Sequence, residues 1–381
     1  MFKKIVIAAD SFKGSITSGR FAEVCRQAIA GILPDCEVVK IPLGDGGEGT
    51  IDALTEAWGG DLRRVTVSDP LMRPVEAVYG ISADGSTAIM EMARASGLPL
   101  LDDYERNPML TTTRGTGEMI ADALRQGCSK ILIGIGGSAT NDGGMGMLGA
   151  LGATFLDAGG KAVDGPGRGC DLSRVASIDL SGLDPLVAQA GITVACDVDS
   201  PFCGPLGAAR VFAGQKGADS AMVDALDLGM AYYSKALTRA RGIDIRDMPG
   251  AGAAGGLGGA LAAALGAKLM PGIDMVLEAV DFDRRIAGAD LIITGEGRID
   301  CQTLMGKTPF GVLSAARRRH IPVVALGGSV EYSEALNRAG FAGVFSIQSS
   351  PISLCEALDP ETACRNLENT VTELVRLMNL H

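Results

Sequence analysis

Histidine is nearly missing from this chain: two in 381 residues, His320 and His381. A nucleophile–histidine–acid triad has almost nothing to be built from, and no G-x-S-x-G elbow is present to hold its serine. Aromatic residues are scarce at 4%, the net charge is -11, and lysine and arginine form no stripe, which excludes a nucleic-acid-binding surface. None of the nine cysteines belongs to a C-x-x-C pair. That scattered set fits reduced thiols in a core rather than a disulfide framework or a zinc site. No stretch reaches the roughly 18 apolar residues of a membrane span. "LGGALAAALGAKLM" comes nearest, and Lys268 interrupts it. The opening "MFKKIVIAAD" has an apolar run of only about five residues before Asp10, too short for a secretory signal and right for a buried strand. The expected location is the cytoplasm.

Glycine is abundant instead. There are 53, where ordinary usage of about 7% gives roughly 27. They cluster with acidic and hydroxyl residues in "GDGGEGT", "GIGGSATNDGG", "GAGAAGGLGG" and "GEGRID". Glycine lets backbone N–H groups approach a ligand closely, and several clusters follow a strand-like run. "KKIVIAAD" reads as a strand. It leads to a helix whose apolar face is Phe21, Val24, Cys25, Ala28, Ile29 and Ile32. "EVVKIP", "ADLIIT", "IPVVALGG" and "AGVFSI" are further strands, with "GEGRID" as the loop leaving "ADLIIT". "TPFGVLSAARRR" reads as a helix with Thr308 as N-cap and Pro309 at its first position. This alternation implies a parallel sheet wrapped by helices, with ligands beyond the carboxyl ends of the strands. The middle differs. From "RRVTVSDPLMRPVEAVYGISADGSTAIMEM" short alternating strands are expected, with turns at Asp69-Pro70 and Asp84-Gly85. The expected fold is therefore α/β. A discontinuous Rossmann-like or flavodoxin-like domain, 1–66 with 286–381, has a parallel sheet. A second α/β domain with a mixed sheet, 67–285, is inserted in it, with a cleft between the two.

The stretch "CQTLMGKT" ends like a phosphate loop, but Cys301 stands where G-x-x-x-x-G-K-[ST] needs its first glycine. "GAGAAG" (Gly250, Gly252, Gly255) satisfies G-x-G-x-x-G, yet it follows "DIRDMP", which is no buried strand. A glycine-rich helix entry, packing closely or facing phosphate, explains it better. Lys13, Lys216 and Lys307 lie beside glycines and can meet phosphate as point charges. Seven carboxylates sit at strand ends or in glycine loops: Asp10, Asp45, Glu48, Asp142, Asp197, Glu296 and Asp300. Some of these must be caps and turn formers. Asp197, which ends "ITVAC", is the sharpest candidate for a base, and Asp142 could serve a metal or a nest of amides.

In order along the chain, "IVIAADSFKGS", "PLGDGGEGT", "TTTRGTGE", "IGIGGSATNDGG", "VACDVDSP", "QKGAD", "PGAGAAGGLG" and "TGEGRIDCQTLMGKTP" resemble the motif set of the type I glycerate kinase family. The resemblance runs from the first strand to Pro309. It implies two α/β domains, one discontinuous, and ATP-dependent phosphorylation of D-glycerate, usually at the 2-hydroxyl, in organic-acid catabolism. ATP and Mg²⁺ are the implied cofactors. The implied partners are small molecules, with neither nucleic acid nor membrane, and a homo-oligomer is compatible with it. The expected phosphate site draws on Ser11, Lys13, Gly136, Gly137, Ser138, Lys216, Gly252, Gly255 and Lys307. Arg114, Arg298 and Asp45 are expected at the substrate, and Asp142, Asp197 and Glu296 at the metal. Asp197 is the preferred proton acceptor, Asp300 and Asp45 its rivals, and Lys13 completes the catalytic set. Two other classes fit parts of the sequence. One is a dinucleotide-dependent oxidoreductase of a small hydroxy acid, resting on "GAGAAG". The other is a non-catalytic metabolite-binding protein.

Overall fold

Runs of β-branched residues become strands, and the glycine clusters fall mostly between a strand and a helix. The computed structural model describes residues 2–379 except Glu48 and Tyr332, so the candidate Glu48 and the terminal His381 lie outside the described residues. The strands are β1 (Lys4–Ile7), β2 (Glu37–Lys40), β3 (Asp61–Ser68), β4 (Pro74–Ile81), β5 (Thr87–Glu91), β6 (Lys130–Gly134), β7 (Thr154–Leu156), β8 (Ser177–Asp179), β9 (Gly191–Ala195), β10 (Lys268–Met270), β11 (Leu291–Ile299), β12 (Val323–Val330) and β13 (Gly343–Ser346). The chain divides into two units. The first takes the residues up to Gly59 and those from Ile273 onward, the second Gly60–Gly272.

The first unit holds a five-stranded parallel sheet in the order β13-β12-β11-β1-β2. Ile5, Val6 and Ile7 are buried, as a strand covered on both faces must be. The helix Ser18–Ile32 starts where the Thr17 hydroxyl accepts from the Arg20 N–H, and it buries Phe21, Val24, Cys25, Ala28 and Ile29. Against that face packs the amphipathic helix Pro360–Met378, through Leu367, Val371 and Leu374. From β1 the chain crosses outward to β2. From β11 it crosses the other way, to β12 and β13. The reversal falls between β1 and β11, and it opens a crevice at their carboxyl ends.

One element differs from the sequence expectation. "GEGRI" is not a loop but the second half of β11, paired with β12 as far as Ile299↔Val330. Glycine there serves close approach, not a turn: a side chain at Gly295 would run into the Leu326 carbonyl and the Phe12 ring, and one at Gly328 into the Gly297 carbonyl.

The second unit holds a six-stranded mixed sheet, β10-β9-β6-β5-β4-β3. β3, β4 and β5 are antiparallel neighbours, and β5, β6, β9 and β10 run parallel. At the tight turn between β4 and β5, Asp84 accepts from Ser86 N–H and Gly85 N–H bonds back to the Ser82 carbonyl. A separate antiparallel pair, β7–β8, completes the unit. Each unit has its own apolar core. Among the described residues no helix is long and apolar enough to cross a membrane.

Candidate active site

The segments leaving β1 and β2, the second half of β11, the end of β12 and 347–358 bound a cavity of about 750 Å³, whose described lining residues all belong to the first unit. Asp10 stands at its floor. The backbone N–H of Asp10 donates to the Gly295 carbonyl at 2.9 Å, so the pairing of β1 with β11 carries on to this residue. Its carboxylate is 5% exposed, accepts from Ser11 N–H at 2.6 Å and meets the Thr308 hydroxyl at 3.4 Å. Burial and the neighbouring Asp45 charge push the Asp10 carboxyl up to about 7, against the Ser11 N–H and the Lys13 ammonium.

Glu296, on β11, lies across the crevice. Its Oε1 accepts from the Thr303 hydroxyl at 2.6 Å, and Oε2 is 3.7 Å from the Lys307 ammonium. Burial raises this carboxyl too, and Thr303 and Lys307 oppose the rise. Ser11, Lys13, Asp45, Arg298 and Lys307 also line the cavity, so six residues of the expected site meet here with Asp10. Lys13 is exposed and forms no ion pair among the described residues. Lys307 immediately precedes the helix Thr308–Arg317, whose first N–H groups form a positive end suited to an anion. Thr308 is the first helical residue rather than the N-cap, and its hydroxyl is directed to Asp10 instead of to the helix.

Asp300 sits apart from this group. It does not line the cavity. Its Oδ1 accepts from Gln302 N–H at 2.8 Å and its Oδ2 is 3.2 Å from Arg298 Nε, so it holds the turn after β11 together. Arg298 is shared between Asp300 and Glu331, the latter at 3.0 Å.

The remaining candidates belong to the second unit. Asp142 is fully buried. Its Oδ2 accepts from Thr113 N–H at 2.7 Å, the Thr113 hydroxyl at 2.8 Å and Gly146 N–H at 3.2 Å, and its Oδ1 from Gly144 N–H at 3.1 Å. Both oxygens of this expected metal ligand are engaged by protein donors, two from Thr113 and two from its own loop. Ser138 and Lys216, both expected at the phosphate, bond to each other. Lys216 is 2% exposed, and its ammonium donates to the Ser138 hydroxyl at 2.8 Å and the Thr140 carbonyl at 2.7 Å. It faces inward, and burial brings it down to about 7 in spite of the Asp142 charge. Gly252 and Gly255 answer to packing. Gly255 has a φ of +69°, and a side chain there would strike the Thr140 carbonyl. A side chain at Gly252 would strike the Pro201 carbonyl. Gly136 and Gly137 are exposed beyond the end of β6. Arg114 opens the helix Arg114–Arg125 and pairs with Glu118 at 3.2 Å. Asp197 is exposed, and its Oδ1 accepts from the Gly272 N–H at 2.8 Å.

Sequence reasoning counted Asp10 among seven carboxylates without singling it out. The available signal was its position directly after the most deeply buried apolar run at the start of the chain. The apolar wall of the cavity, contributed by 347–358, gave no signal of its own.

Among described residues no group of three or more histidine, cysteine, aspartate or glutamate side chains forms a self-sufficient metal site. Mg²⁺ does not need one, since it takes one or two carboxylates along with phosphate oxygens and water. Asp45 and Glu296, two carboxylates lining one cavity beside Lys13 and Lys307, fit that requirement.

The profile of the Glycerate kinase family matches residues 5–379. A glycerate kinase from Bacillus subtilis (strain 168) is 47% identical over 99% of this chain and 98% of its own length. Glycerate 2-kinase from Escherichia coli (strain K12) is 45% identical over 97% of this chain and 98% of its own. The crystal structure of a Salmonella typhimurium LT2 protein, provisionally described as glycerate kinase 2, superposes with a TM-score of 0.91 at 44% identity, covering 99% of this chain and 98% of that one. An enzyme of the kinase type is thus indicated from end to end, and the chain belongs to the glycerate kinase family.

Proposed function

We propose that this kinase transfers the γ-phosphoryl group of ATP to the 2-hydroxyl of D-glycerate, yielding 2-phosphoglycerate and ADP. The observation that carries the reading is the crevice between β1 and β11, where the buried Asp10 carboxylate shares one cavity with Lys13, with Lys307 and with the start of the helix Thr308–Arg317. Phosphoryl transfer is mostly positioning and charge stabilisation, and this set supplies both. Lys13, Lys307 and the first N–H groups of the helix Thr308–Arg317 offset phosphate charge. Asp10 accepts the proton of the attacking hydroxyl as its oxygen bonds to phosphorus and ADP departs. A base poised near the working pH suits that step. Arg298, on the same wall, is the partner for the substrate carboxylate. Asp45 and Glu296 would hold Mg²⁺. When bound, that ion offsets charge on the phosphate oxygens. We take the two units as the discontinuous and the inserted domain. The 2-position follows the E. coli relative, which is named for it.

The test is ADP release over a panel of small hydroxy acids, with the product identified by phosphorus NMR. D-glycerate should be turned over and yield a 2-phosphate. A 3-phosphate would overturn the regiochemistry, and no ADP release with any hydroxy acid would overturn the whole reading. Asp10→Asn and Asp197→Asn, assayed together, settle the base: a much larger loss of kcat in Asp197→Asn would move the role to Asp197.

A further inference from the structure

The cavity has two chemically distinct ends. One carries Asp10, Lys13, Asp45, Glu296 and Lys307. The other is built from 347–358, where Ile352, Leu354 and Leu358 line the cavity at 36%, 75% and 39% exposure. The short helix Leu354–Leu358 is fixed by Ser353, whose hydroxyl accepts from Glu356 N–H at 3.3 Å. Leu354 and Leu358 are four residues apart on it and so share one face. Apolar side chains left open inside a pocket mark a ligand that covers them. Glycerate cannot: it has three carbons, each bearing oxygen, and fills a small part of about 750 Å³. Phe12, the aromatic residue on the wall, is 3% exposed, so the open apolar surface here is aliphatic.

Gln348 adds a directional group. Its Oε1 accepts from Asn366 Nδ2 at 3.1 Å, and Asn366 Oδ1 accepts from the Ser349 hydroxyl at 3.3 Å. This arrangement turns the Gln348 amide oxygen toward Asn366. It leaves the amide NH₂ without an acceptor among the described residues, on a side chain that lines the cavity.

We infer that 347–358 is the base-binding end of the cavity, where Ile352, Leu354 and Leu358 cover the purine ring of the nucleotide donor and Gln348 donates to a ring nitrogen. The inference rests on the kinase reading above. It makes these residues determinants of nucleotide affinity, leaving the glycerate end unaffected.

The experiment compares ADP with inorganic pyrophosphate by titration calorimetry, on the wild-type enzyme and on the variant Ile352→Ser/Leu354→Ser. Both sites are exposed, so folding should persist. Wild type should bind ADP more tightly than pyrophosphate. The variant should lose about tenfold or more in ADP affinity, with pyrophosphate affinity and the KM for glycerate unchanged. Gln348→Ala should weaken ADP by a smaller factor, again sparing pyrophosphate. Equal weakening of ADP and pyrophosphate, or an unchanged affinity for ADP, would overturn the inference and leave the kinase reading standing. A wild type that binds neither would overturn both.

Discussion

Two buried charge systems in this protein are made from similar material and end in opposite states. Asp10 and Glu296 in the first unit, and Asp142 and Lys216 in the second, all come from segments next to glycine-rich loops, and all are almost shielded from solvent. Asp142 and Lys216 are enclosed by donors and acceptors of their own chain. Asp10 has one N–H at 2.6 Å and one long contact to a hydroxyl, beside a second raised carboxyl and an open cavity. A buried charge with its partners in place holds a loop; a buried carboxylate left short of partners is ready to receive a cation or a proton. Burial is common to both systems, and what differs between them is the completeness of partnering.

The sharpest attempt to break this contrast is Asp10→Asn. The rate should fall by ~10²–10⁴ while the fold survives. Below about 7 Asp10 is protonated, so wild-type kcat/KM should rise with pH to a plateau above that value. Stability runs the other way. The native carboxyl is raised, so the native state holds the proton longer, and Asp10 loses the protein stability as pH climbs from about 4 through about 7. Asp10→Asn should therefore be more stable than wild type at pH 8 in thermal melts. Unchanged activity in this variant would remove Asp10 from the mechanism.

Asp142→Ala should do the reverse, destabilising by roughly 3 kcal/mol or more because three backbone N–H groups and a hydroxyl lose their acceptor. Denaturant titration checks it, and a stable variant with impaired metal dependence would restore Asp142 as a ligand. Lys13→Met or Lys307→Met should raise the KM for ATP by about tenfold, on the order of one charge-assisted contact. Lys216 titrates lower in the native state than when unfolded, so its contribution should rise with pH between about 7 and 10, at up to ~1.4 kcal/mol per pH unit. Lys216→Met should flatten that slope. The smallest effect belongs to Gly136→Ala. A side chain there meets nothing within 4 Å, so stability should move by no more than ~0.5 kcal/mol. A raised KM for ATP in so harmless a variant would identify the β6 loop as a phosphate contact.

Much of the architecture was legible because it depends on local pattern. "KIVI", "LIIT" and "PVVAL" read as buried strands, and Asp84-Gly85 as a turn. The misreading of "GEGRI" has a physical root: glycine signals a turn when it supplies backbone freedom, but β11 uses it so that Phe12 and β12 can approach. The site was legible as a set of residue types and not as an arrangement. Thr308 and Asp10 are 298 positions apart, and nothing in either neighbourhood announces their contact. Burial is equally non-local. Lys216 and Lys307 look alike in sequence, each between glycines or beside one, yet one is sealed and the other faces a cavity. The motif resemblance succeeded because it summed many weak local signals in order.

The seam between β1 and β11 also bears on how the protein is made. A strand from the beginning of the chain pairs with one that leaves the ribosome nearly 300 residues later (Ile5 with Leu291). The second unit, Gly60–Gly272, is contiguous and can fold while β1, beside β2, still lacks β11. The open edge of the apolar β1 must be kept from wrong partners during that interval, and the crevice, which needs β11, forms only afterwards. Nascent chains stalled before β11 emerges should show a protease-resistant second unit beside an unprotected first strand. With the proposed site in that crevice, catalytic competence is a late event in synthesis, reached only when the sheet is closed.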